Sequence, residues 1–196
     1  MKRTLTILIS ALLIFILSAC DDNNSNTISV AELTDRENAI LSSSSDNSFV
    51  FDFNIDKEYK EVTVWLEKYE SGNLVEDKIG DLTVQVEGDG SIIFTTSKTN
   101  NSQKQPTFNM AISSKERVSS INAFDQNSNS LDDMSSVWSP RENTLIESEV
   151  VLGSICYSKD GNMNSLTDEF YEDVDGHMNE LEKYDVVYLL KAEFIK

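Results

Sequence analysis

From Phe49 the chain alternates apolar with polar residues, setting Phe49, Phe51, Phe53 and Ile55 against Asp52, Asn54 and Asp56. A period of two puts successive side chains on opposite faces, so this run is a strand with one apolar face that needs a second apolar layer to cover it. The sequence supplies that layer. Val62, Val64 and Leu66 alternate with Thr63, Trp65, Glu67 and Tyr69, and further strand patterns recur at 82–86, 92–95, 107–113, 118–124, 145–157 and 186–195. Seven or eight strands at this spacing predict a mainly-β fold, an antiparallel β-sandwich-like domain. Turn-forming residues at 70–73 and 87–90 predict hairpins. The polar stretches 98–105 and 125–133 read as surface loops.

Two helical patterns flank the strands. Ser29 with Glu32 and Thr34 with Glu37 have the spacing of a capping box, and Val30, Leu33, Ile40 and Leu41 form a partial stripe, predicting a short N-terminal helix over 30–41 that the serines at 42–45 end. Over 165–184, Ser165 is placed to cap a helix, while Leu166, Phe170, Val174, His177, Leu181 and Tyr184 share one face at 3.6 residues per turn. Glu169, Glu172, Asp173, Glu180 and Glu182 line the other face, which predicts one C-terminal acidic amphipathic helix. Gly176 inside it costs about 1 kcal/mol relative to alanine and marks a place for it to divide.

Thirty-four acidic residues against sixteen basic ones give the 196-residue chain a formal charge of −18. That balance argues against nucleic acid as a partner, because such binding draws its affinity from Lys and Arg neutralising phosphates. It also opposes close adsorption to anionic lipid, where basic patches attract.

Lys2 and Arg3 precede an apolar run from Leu5 to Leu17 that ends in Leu17-Ser18-Ala19-Cys20, followed by polar Asp21-Asp22-Asn23-Asn24. A basic n-region, a short apolar h-region and small residues before a cut mark a secretory signal peptide, and about 15 apolar residues fall short of the ~20 that a spanning helix needs. The ending, a large aliphatic, two small residues and a cysteine, resembles the lipobox of bacterial lipoproteins. The remainder looks like lipoproteins of low-GC Gram-positive bacteria. The resemblance implies that Cys20 receives a diacylglyceryl lipid, that the chain is cut before it, and that the mature protein stays on the extracytoplasmic face of the cell membrane through a lipid anchor. The expected organisation is a signal peptide at 1–19, a polar tether at 20–28 and a single mainly-β domain at 29–196.

With Cys20 committed to lipid, Cys156 has no intramolecular partner. It falls in line with Val150, Leu152 and Ser154 at alternate positions, which predicts a buried thiol facing the core on their shared face.

Constellations for chemistry are sparse. His177, the one histidine, sits on the apolar stripe and reads as a packed or hydrogen-bonded core histidine. No nucleophile elbow, phosphate-binding loop or dinucleotide glycine pattern occurs, one cysteine and one histidine cannot build a structural zinc site, and no cofactor is implied. The sharpest metal pattern, Asp160, Asn162 and Asn164 followed by Asp168, alternates oxygen ligands as a calcium loop does, but it has Ser165 at the position of the usual glycine and Tyr171 where an acidic ligand should close it. The competing reading is a turn into the helix. Trp65 and Tyr69 on the face opposite Val62, with Trp138 before Pro140 in an expected loop, form a candidate stacking platform for a sugar or peptide, against the commoner reading of tryptophan as core.

A surface address on a sandwich scaffold, with no catalytic constellation, predicts a non-catalytic binding module for a protein, peptide or envelope glycan. The alternatives are an envelope-polymer hydrolase working through Asp and Glu, marked by two carboxylates facing each other in a cleft with one in apolar surroundings, and an assembly or immunity-type partner of another membrane protein.

Overall fold

The alternation at Phe49 does build a strand with one covered face. In the computed structural model, which describes residues 26–97, 106–126, 131, 133–161 and 163–196, β2 (Ser45–Asn54) buries Phe49, Phe51 and Phe53 while Asp52 and Asn54 stay exposed. It belongs to a six-stranded antiparallel sheet with β1 (Thr27–Val30), β5 (Asp89–Ser97), β6 (Thr107–Ser114), β7 (Arg117–Phe124) and β9 (Thr144–Leu145), in the order β7-β6-β5-β2-β1-β9. The second sheet, also antiparallel, has the order β4-β3-β11-β10-β8, from β3 (Glu61–Glu70), β4 (Asn73–Gln85), β8 (Ser135–Pro140), β10 (Glu149–Ser158) and β11 (Val186–Ile195). The two sheets face each other across one apolar core, so the fold is the expected β-sandwich. Phe94 and Phe108 meet there with ring centroids 6.0 Å apart, and Phe53 packs edge-on against Phe194.

The sheets differ in how many faces they bury. In β6 burial alternates residue by residue, whereas β3, β10 and β11 are buried almost throughout. Their outer face is covered by a strap formed by residues 166–184, which builds a second core: Leu166, Phe170 and Leu181 pack over Val151, Cys156 and Leu189. Each fully buried side chain of this size contributes about 1.5–3 kcal/mol.

Several expectations need correction. The strap is not one helix. It is a short helix, α2 (Asp168–Glu172), followed by a 3₁₀ segment over Asp175–Lys183 that kinks at His177. Asp173 ends the first piece, its backbone N–H bonding to Glu169 O, and its Oδ1 then accepts from Gly176 N at 3.0 Å, so a side chain that competes for backbone donors divides the run. The cap of α2 is Thr167 rather than Ser165. Glu180, expected on the solvent face, is buried and accepts from Thr167 Oγ1 at 2.6 Å.

The N-terminal helix, α1, is Asp35–Ser44 rather than 30–41 and buries none of its residues. The Thr34–Glu37 capping box forms; the Ser29–Glu32 pair does not, because Ser29 lies in β1 opposite Asp52. β1 starts at Thr27 and Ile28 is 1 % exposed, so the end of the tether expected at 20–28 belongs to the sheet. Cys20 and the signal segment lie outside the described residues, as does Asn162.

Residues 87–90 do not close a hairpin. β4 and β5 lie in different sheets, and the link crosses between them, pinned where Ile55 N donates to Gly88 O and Val86 N to Lys60 O. The strand expected over 145–157 is two strands, β9 and β10, and β10 carries a bulge between Val151 and Gly153. An extra residue in one strand reverses the alternation beyond it. Val150 and Leu152 therefore face the inter-sheet core, while Ser154 and Cys156 turn to the strap with Val151. Cys156 is buried as predicted, but on the opposite face from Leu152.

Candidate functional site

The strap does not cover the whole outer face of the five-stranded sheet. Between it and the β9–β10 segment runs a groove with a cavity volume of about 570 Å³. Leu145, Val150, Val151 and Val174 supply its apolar lining; Glu147 and Glu149 stand on one wall and Glu172, Asp173 and Asp175 on the other. Two cations, Arg141 and Lys191, complete it.

Those cations are in different states. Lys191, on the outer face of β11, donates to Glu149 Oε1 at 2.6 Å and Glu67 Oε1 at 3.0 Å, and Glu67 Oε2 accepts from Tyr69 OH at 2.7 Å. Burial alone would lower the Lys191 pKa, but the hydrogen bonds and charges of Glu149 and Glu67 outweigh it and hold the ammonium above its ordinary value. Burial also raises the Tyr69 hydroxyl, with Glu67 adding to the effect. Arg141 follows β8 directly, and its backbone N–H donates to Leu152 O at 2.7 Å, which fixes its base. Its guanidinium is half-buried and makes no ion pair within 4 Å among the described residues; burial lowers its pKa, and the more distant Glu172 offsets part of that. A charged fork of five donors remains open to the groove.

A second polar cluster lies between the sheets at one end. Lys68, on the inner face of β3, pairs with Asp125 Oδ2 and Glu70 Oε1, each at 2.9 Å, and Tyr188 OH donates to Asp125 Oδ2 at 2.6 Å. Lys68 and Asp125 are 1 % and 0 % exposed, which corrects the surface-loop reading of 125–133 at its first residue. The signal for Lys68 was present: it continues the alternating set Val62, Val64, Leu66. Glu76, from β4, brings a buried Oε2 with no hydrogen-bond partner, and burial, with repulsion from Asp125, raises it above the ordinary carboxylate range.

The residues singled out from sequence fare differently. Trp65 and Tyr69 are 3 % and 6 % exposed, and Trp138 stands in β8 against Phe49 rather than in a loop, so the stacking platform does not exist: the strap and neighbouring side chains cover what alternation alone would leave open. Lys78 Nζ lies 5.0 Å from the Trp65 ring centre, and Trp65 Nε1 is buried without a partner. His177 is half-buried at the kink, its Nδ1 2.9 Å from Asp173 O, in the strap rather than the core. Asp160, Asn164 and Asp168 are exposed, and among the described residues no three His, Cys, Asp or Glu side chains are grouped to hold a metal. No helix among those residues is long and apolar enough to cross a membrane.

A model of the YgaN domain matches residues 27–194, from the first residue of β1 to the penultimate residue of β11. The chain belongs to the YgaN domain family. The match takes in both sheets, the strap and the groove between them, so the YgaN domain is the whole sandwich. No curated protein and no solved structure matches the chain.

Proposed function

We propose that this YgaN-domain protein is a lipid-anchored, extracytoplasmic binding module, held to the membrane at Cys20 and taking a peptide, protein or envelope-glycan ligand in the groove beside the strap. The address rests on Lys2, Arg3, the apolar run and Leu17-Ser18-Ala19-Cys20. The binding role rests on one observation: the groove holds a half-buried guanidinium with no ion pair among the described residues, beside a lysine that is doubly paired. Binding sites place a few polar groups over an apolar lining in this way.

Two measurements test it. Metabolic labelling with a fatty-acid analogue should tag the wild type and not Cys20→Ala; equal labelling would remove the anchor. A photo-crosslinking residue at Leu145, on the rim of the groove, should capture material in cells that the same residue at Val118, on β7, does not. Equal capture from both positions, or none, would remove the groove as the binding site.

The hydrolase alternative draws on Glu76, a carboxylate raised by burial with Asp125 near it. It requires turnover of a wall polymer by the purified chain that is lost in Glu76→Gln.

A further inference from the structure

Resting on the groove as the binding site, but with a ligand smaller than a peptide, protein or glycan, we propose that the groove recognises the headgroup of an aliphatic α-amino acid, with its carboxylate on Arg141 and its ammonium on the wall of Glu172, Asp173 and Asp175. Acidic residues outnumber basic ones about two to one in this chain. Among the described residues three cations are withdrawn from solvent, Lys68, Lys191 and Arg141; the first two each pair with two carboxylates, and Arg141 pairs with none. A guanidinium fork matches a carboxylate in two parallel charge-assisted bonds, the geometry a side chain at this position lacks and a ligand can supply.

The rest of the groove narrows the class. A phosphate or polyanion seated on Arg141 would face five carboxylates on the two walls. A simple cation would meet Arg141 and Lys191. The complement is a dipole with its two charges one carbon apart. Glu172 lines the same groove as Arg141 without forming an ion pair with it, so the two present separate partners for a carboxylate and an ammonium. Leu145, Val151 and Val174 would then meet an aliphatic side chain.

The test uses the full chain in detergent and titration calorimetry with L-leucine, D-leucine, N-acetyl-leucine and leucine methyl ester. One leucine enantiomer should bind saturably, with the acetylated and esterified forms at least about tenfold weaker, the scale of losing one charge-assisted contact. Arg141→Gln should weaken leucine by at least about tenfold and Glu172→Gln by less, while Lys78→Gln, outside the groove lining, should not. Circular dichroism and the urea midpoint of Arg141→Gln should match wild type, since no ion pair is lost. No binding by either enantiomer, equal binding of the blocked forms, or an unchanged affinity in Arg141→Gln would each overturn the proposal. The crosslink from Leu145 separates the two levels: capture that persists without leucine binding removes this ligand class alone, and loss of capture removes the groove itself.

Discussion

Lys68 Nζ and Asp125 Oδ2 lie 2.9 Å apart with side chains 2 % and 0 % exposed, and the pair ties β3 of one sheet to the chain just beyond β7 of the other. A buried pair is weak evidence of net stabilisation, because desolvation offsets the attraction; removing Asp125 is another matter, since Lys68 would keep the partly exposed Glu70 but lose its buried counter-charge. Asp125→Ala should cost about 3–5 kcal/mol. Tyr188→Phe, which removes one hydrogen bond to the same carboxylate, should cost about 1.5–3 kcal/mol. Urea denaturation of both variants orders them, and a smaller loss for Asp125→Ala than for Tyr188→Phe would show that the Glu70 carboxylate suffices for Lys68.

Glu76 gives this cluster a pH dependence. Burial raises its pKa, Asp125 and Asp77 add repulsion, and Lys68 opposes them. A carboxyl whose folded value is raised holds more protons in the native state than in the unfolded one, so its contribution is greatest at low pH and is lost as pH rises from the ordinary glutamate range through the folded value. Glu76→Gln should therefore gain stability over wild type as pH rises from about 4, where an unperturbed glutamate begins to ionise ahead of the folded Glu76. The difference between the two urea midpoints, followed across that range, reports Glu76 alone. A gap that closes with rising pH would reverse the sign and place Glu76 in a favourable contact.

What the sequence disclosed depends on how many faces of each element are covered. β2 was legible because one face is wet, and Asp52 and Asn54 mark it against Phe51 and Phe53. β10 hides its facing, because the strap buries its outer side and leaves polarity no face to mark. The bulge after Val151 was invisible for the same reason: with apolar residues on both sides of the strand, a slip of one position changes nothing in the pattern. The 3.6-residue stripe over 165–184 did identify the buried Leu166, Phe170, Leu181 and Tyr184, but the capping by Asp173 depends on geometry that spacing does not carry. The groove was out of reach, since it joins Arg141, the 144–151 segment, the 171–175 turn and Lys191, which only the folded sheet brings together.

The two cores can be separated at Cys156. Burial pushes its thiol up to about 12, so little thiolate exists near neutral pH and native labelling should be slow. Phe170→Ala, in the strap core above it, should cost about 3–5 kcal/mol, and Leu152→Ala, in the inter-sheet core, about 2–5 kcal/mol. Only the first loosens the cover over Cys156 directly. Alkylation of Cys156 followed by mass spectrometry in variants matched for global stability should be faster in Phe170→Ala. Equal rates would mean that the strap opens only when the whole sandwich unfolds.

Gly80 tests how closely the sandwich shuts along the β4–β7 seam. It has φ +69°, and a Cβ there would overlap Ala123 Cβ of β7 and Met110 Cε of β6. Gly88 has the same φ, but a Cβ there meets nothing within 4 Å, so the pair separates backbone strain from crowding. Gly88→Ala should cost only the left-handed penalty of about 1–2 kcal/mol. Gly80→Ala carries that penalty plus about 1–3 kcal/mol of overpacking, because the Met110 methyl can turn aside but Ala123 Cβ moves only with its strand. Urea midpoints of the two variants measure the difference. Equal losses would mean that β7 gives way at the seam without cost, and that β4 and β7 touch without being packed.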